Sequence, residues 1–287
     1  MTADLANTPE DVIRVQFIED ESGSERIDLS GKLRMLSQRI PAAACNLNAG
    51  IAAEETSKVL SGAVAELNAI LAALEFGDEN LNVNGAEERR KTLRMIEELH
   101  TRFAPLQAAL SESVDGVPSD EAIQVLAAGN MSVLEMAQLL VTQISGEYSN
   151  QASLLQSDAL AIDIAGRQRM LTQKISKEVC LILSDVDAAA YQESLGGTMH
   201  LFEVSLDALR GGMPEAGVQP PRTDDIAAGL EEARNHWQAI KGHLDAINAG
   251  ETIDDAARAA VFLGLNTTMA SMNRVVGLYS DASKLGL

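Results

Sequence analysis

The chain has 287 residues, a formal net charge of −20, 46% hydrophobic residues and only 3% aromatic ones. That length holds one large domain or two of ordinary size, and apolar mass delivered by Ala and Leu favours packed helices over a sheet sandwich. The acidic field excludes nucleic acid and anionic membrane surfaces as partners of the chain as a whole.

In chain order, residues 1–24 read as a tail or edge segment, with a strand-like run at Val12–Ile18. The first residues are acidic and lack the apolar stretch of a secretory leader. Nowhere do 18 apolar residues run without charge. The expectation is a cytoplasmic protein that does not span a membrane. From residue 25 the hydrophobic period predicts helices near 26–48, 52–75, 87–111 and 120–145, separated by Gly50, the Gly77–Gly85 segment and Val114–Ser119. Four more follow near 153–184, 188–209, 224–247 and 253–283. Ser119 before Asp120 and Thr223 before Asp224 are N-cap signals.

The two sets of four are copies of one another. Ile27-Asp-Leu-Ser-Gly31-Lys-Leu-Arg34-Met-Leu-Ser-Gln-Arg-Ile40 recurs 135 residues later as Ile162-Asp-Ile-Ala-Gly166-Arg-Gln-Arg169-Met-Leu-Thr-Gln-Lys-Ile175. Phe103 and Leu106 correspond to Trp237 and Ile240, and Met136 to Met272, in constant order. The fold class expected is all-α: two tandem antiparallel four-helix bundles, residues 25–147 and 148–287, related by internal duplication and packed as a pseudo-dimer. Side-by-side packing requires a turn within Ser145–Gln151; a continuous helix there stacks the modules end to end and separates Arg34 from Arg169.

Leu29, Leu33, Leu36, Ile40 and Leu47 form the core stripe of the first helix. Beside it run Ile27, Gly31, Arg34, Gln38 and Cys45, a stripe that can face a second helix. Each arginine follows a glycine by one turn, and glycine costs about 1 kcal/mol against alanine in a helix. Close approach of a backbone or a ligand explains that cost. A lone arginine on such a face usually snorkels or pairs with a carboxylate, but two matched copies point to an anion. Arg39 and Lys174 read as solvated charges, and Met35 and Met170 as packing residues. Cys45 and Cys180, also 135 apart, read as small core residues rather than a bridge. Pro41, where the second copy has Ser176, is expected to kink or shorten the first helix.

The doubled Gly-x-x-Arg-Met-Leu core resembles the P-box of NarX-type nitrate sensors and of the PilJ-type sensor domain of chemoreceptors. The resemblance implies a four-helix bundle that dimerises around one nitrate, held by the P-box arginine of each first helix. It assigns nitrate binding here to Arg34, Arg169, Gly31 and Gly166. Such modules usually sit beside transmembrane helices and a kinase or methyl-accepting domain, none of which is expected from this sequence. The expectation is therefore a soluble nitrate or nitrite sensor, with two fused modules binding one oxyanion. It signals through a separate kinase, response regulator or RNA-binding antiterminator. The alternative is a ligand-independent helical scaffold. No enzyme, metal or cofactor is expected: Glu97-x-x-His100 has di-iron spacing, but the second copy reads Glu231-x-x-Arg234.

Overall fold

The computed structural model describes the backbone of residues 9–148 and 156–286, and side chains over 23–148 and 159–286 except Lys284. Among the described residues there are eight α-helices: α1 Pro9–Asn48, α2 Ala53–Phe76, α3 Arg90–Ser111, α4 Asp120–Tyr148, α5 Gln156–Leu183, α6 Ala188–Gly211, α7 Asp224–Asn248 and α8 Asp255–Lys284. Short 3-10 turns at Glu79–Leu81 and Pro214–Ala216 interrupt the second connection of each half. The caps read from sequence are present. Ser119 Oγ accepts from the Ala122 N–H and Thr223 Oγ1 from the Ile226 N–H, each satisfying a donor the first turn leaves open.

Helices α1–α4 pack around one core and α5–α8 around another, with Leu29, Leu33, Leu36, Ile40 and Leu47 all buried in the first. Within each bundle the third and fourth helices cross closely at a glycine. A Cβ on Gly129 would lie 2.5 Å from Leu106, and one on Gly264 would lie 2.4 Å from Ile240. Helices α2 and α4 are long and apolar enough to cross a membrane by composition, with mean hydropathy of 1.6 and 1.4; here both pack against α1.

The two bundles meet through their first helices, with α1 packed along α5. The helices run parallel, because low-numbered residues of one face low-numbered residues of the other and high face high. This is the side-by-side pseudo-dimer. Ser145–Tyr148 belong to α4, which brings Tyr148 against Gly23 and Arg26 at the other end of the bundle. The rest of the expected turn lies in 149–155, outside the described residues.

Two other expectations are corrected. The strand-like Val12–Ile18 lies within α1. Pro41 does not shorten that helix, which ends at Asn48 just as α5 ends at Leu183, 135 residues on. A proline removes one backbone donor, and here the packing of buried Ile40, Ala42, Ala43 and Ala44 carries the helix through it.

Candidate anion-binding site

Arg34 and Arg169 project from α1 and α5 into the seam between the bundles, each only 2% exposed. Gly31 and Gly166, one turn earlier, leave the seam open at that height. The Nη2 atoms of Arg169 and Arg34 lie 3.5 and 3.7 Å from where a Cβ on Gly31 would sit. The same two atoms lie 3.6 and 3.5 Å from a Cβ on Gly166. Both guanidinium tips therefore converge on one small space floored by two glycines. The four residues singled out in the sequence form a single cluster.

Hydrogen bonds reach the two forks from two directions. Arg34 Nη1 donates to Gln138 Oε1 of α4 at 3.1 Å and to Asp163 Oδ1 of α5 at 3.1 Å. Arg169 Nη1 donates to Asn273 Oδ1 of α8 at 2.8 Å, and its Nη2 to Asp28 Oδ1 of α1 at 3.0 Å. Each arginine thus takes an amide from its own bundle and a carboxylate from the other. The Asp28 and Asp163 side chains are about one-third exposed, at 32% and 35%. Each also pairs along its own helix, Asp28 with Lys32 at 3.4 Å and Asp163 with Arg167 at 2.8 Å.

Electrostatically the arginines are under-served for their burial. The Nε of both is buried without a hydrogen-bond partner, and such an atom in a low-dielectric seam costs free energy. Burial lowers the pKa of Arg34, Asp163 opposes that, and the nearby Arg167 and Arg169 add to it. Two guanidinium groups about 4 Å apart repel by roughly 4 kcal/mol at an effective dielectric near 20. The crossed aspartates offset that repulsion. The arrangement can take a planar oxyanion whose acceptors face both forks.

Two turns deeper the halves stop matching. Lys177 of α5 is fully buried and donates to Gln38 Oε1 at 2.8 Å and to Asn130 Oδ1 at 2.7 Å, with Tyr191 alongside. Burial pushes its pKa down to about 7. Its counterpart in the first copy is Ala42. On that side Gln173 and Asn266, the counterparts of Gln38 and Asn130, keep buried polar atoms without partners.

Deeper still, Cys45 and Cys180 form a disulfide, with Cα atoms 6.1 Å apart. This corrects the reading of them as separate core residues. Equivalent residues close to the local two-fold axis of a duplicated pair face each other, so matched cysteines on this stripe meet. Arg39 and Lys174 are also not solvated charges. Arg39 is half-buried with one buried unpaired nitrogen. Lys174 donates to Glu178, Ser194 and Thr198. Met35 is buried and Met170 is packed between the two cores.

Asp28, Asp163, Gln138 and Asn273 join the site although the helical period alone does not mark them. The Asp of each Ile-Asp pair was nevertheless visible in both signatures, six residues before its arginine. Glu97 and His100 are both exposed on α3, and no three-residue cluster of metal-type ligands forms among the described residues. His236 Nδ1 lies 3.0 Å from Ser271 Oγ, and Glu232 pairs with Arg274.

The model of one family, PilJ, described as the N-terminal region of type IV pili methyl-accepting chemotaxis transducers, matches the chain twice, over residues 18–128 and 151–262. Each match begins ahead of a signature and ends within the fourth helix of its bundle. No curated protein and no solved structure matches the chain significantly. With most of its length covered by the two matches, the chain belongs to the PilJ family and carries that domain in two tandem copies.

Proposed function

We propose that this protein is a nitrate or nitrite sensor. In it, the first helices of two fused sensory modules bind one oxyanion between Arg34 and Arg169, over Gly31 and Gly166. The observation that carries this reading is the convergence of both buried guanidinium tips on the space above both glycines. Membership in a chemotaxis-transducer family supports a sensory rather than a catalytic role. The PilJ matches leave the ligand open, and nitrate enters through the resemblance of the signature to the P-box. A planar monovalent anion fits two opposed forks, whereas phosphate brings excess charge beside Asp28 and Asp163. Binding draws α1 and α5 into a new packing, a helix shift that a partner can read. The partner is proposed to be a separate kinase, response regulator or RNA-binding antiterminator, with no direct nucleic-acid or membrane contact.

The competing reading is a ligand-independent scaffold, favoured by one observation: crossed ion pairs and a disulfide already join the bundles. Thermal unfolding with added anion separates the two. Nitrate or nitrite at 100-fold its dissociation constant stabilises a sensor by about 2.7 kcal/mol, a rise of about 5 °C for a chain of this size. A melting temperature indifferent to nitrate, nitrite and other small oxyanions supports the scaffold instead.

A further inference from the structure

We infer that Asp28 and Asp163 are displaceable internal counter-ions that compete with the oxyanion for Arg169 and Arg34, and so set both its affinity and the signal. This rests on the proposed reading of the arginine pair as an anion site. Three observations carry it.

The pairs are crossed. Asp28 of α1 reaches Arg169 of α5, and Asp163 of α5 reaches Arg34 of α1. Each pair therefore ties one bundle to the other at the height of the glycine floor. An anion that takes the two Nη2 tips competes directly with Asp28 at Arg169 Nη2, and through charge with Asp163, which holds the same Arg34 guanidinium at Nη1.

Each carboxylate has a second cation within reach on its own helix: Lys32 lies one turn from Asp28, and Arg167 one turn from Asp163. The four positions are related by the 135-residue repeat, so the same exchange is available on both sides. A released aspartate is not stranded; it gives up the interhelix pair and keeps the intrahelix pair it already makes. A third of each aspartate side chain also faces solvent, so release leaves no buried charge.

The amides do not share this freedom. Gln138 and Asn273 hold each arginine from within its own bundle, and they keep the guanidinium aimed at the seam when the aspartate leaves. The exchange removes two crossed ties between α1 and α5 and replaces them with one shared anion. The helix pair is thereby given two discrete arrangements, which a two-state signal requires. The same carboxylates repel anions of higher charge, which favours nitrate or nitrite over phosphate.

The test is titration calorimetry with sodium nitrate on the full chain, comparing wild type with Asp28→Asn, Asp163→Asn and the double variant, and with the corresponding alanine variants. Removing a partly exposed competitor should tighten nitrate binding about two- to fivefold per substitution, with asparagine and alanine acting in the same direction. Without nitrate, the same variants should melt lower than wild type. A second comparison separates exchange from a simple field effect. Arg167→Met should weaken binding in the wild-type background and lose most of that effect in the Asp163→Asn background. If the wild type binds nitrate while the aspartate variants bind it equally or more weakly, the competition is overturned and the anion site stands. An Arg167→Met loss that is undiminished in the Asp163→Asn background also overturns it. If the wild type binds no small oxyanion, the anion site itself is overturned, and the counter-ion role with it.

Discussion

Replacing Gly31 and Gly166 by alanine separates a glycine kept for a ligand from one kept for packing. Both lie inside long helices, where alanine is favoured by about 1 kcal/mol per site. Neither added methyl meets a hard obstacle, since its nearest neighbours are the two arginine Nη2 atoms at 3.5–3.7 Å, an ordinary van der Waals separation. The double variant should therefore be more stable by about 2 kcal/mol. Spread over the unfolding entropy of a chain this long, that raises the melting temperature by about 3 °C. The methyls also stand where the guanidinium tips converge. Crowding a packed site by a methyl costs about 1–3 kcal/mol, so nitrate affinity should fall roughly five- to hundredfold. Differential scanning calorimetry without ligand and nitrate titration on the same samples read both effects. A variant that is more stable and binds nitrate as well as wild type refutes the placement of the ligand over the glycines. A variant that melts lower refutes the claim that helix–helix packing leaves room there.

Three further outcomes follow from the seam. Cys45→Ser or reduction of the bridge opens a loop of 135 residues and should cost about 5 kcal/mol, a fall of about 8 °C that wild type in reductant reproduces. The cytoplasmic placement rests on composition, whereas a persistent bridge speaks for an oxidising compartment; alkylation of free thiols in protein quenched directly from its cells decides between them. Lys177, with its folded pKa pushed down to about 7, binds fewer protons when folded than unfolded between that value and the ordinary lysine range. Stability should therefore rise with pH from about 7 towards 10, and the slope should flatten in Lys177→Met. Arg169→Ala should abolish nitrate-dependent stabilisation while leaving the chain folded, because Asp28 keeps Lys32 as a partner; a wild-type nitrate response in that variant contradicts its role.

Much of this architecture is legible in the sequence because duplication states each signal twice. The stripe of Ile27, Gly31, Arg34, Gln38 and Cys45 faces the second bundle because the neighbouring leucines already claim the core. The crossed pairing of Asp28 and Asp163 was not legible. It depends on the lateral stagger of α1 against α5, which no intrahelix period encodes. Within a helix, Asp28 and Lys32 look like a self-sufficient surface pair. Lys177 was obscured because it breaks the symmetry that made the other positions readable. The disulfide does carry a sequence signal: matched residues near a local two-fold axis meet themselves. Pro41 shows packing overriding a local rule, since the helix runs on through it to Asn48.

The number of nitrate ions bound per chain tests the central claim most directly. Isothermal titration of the full chain should give one site per molecule, and Arg34→Ala should eliminate it, because both arginines serve the same anion. Two equivalent sites per chain, or one site that survives Arg34→Ala, contradicts a shared site between α1 and α5.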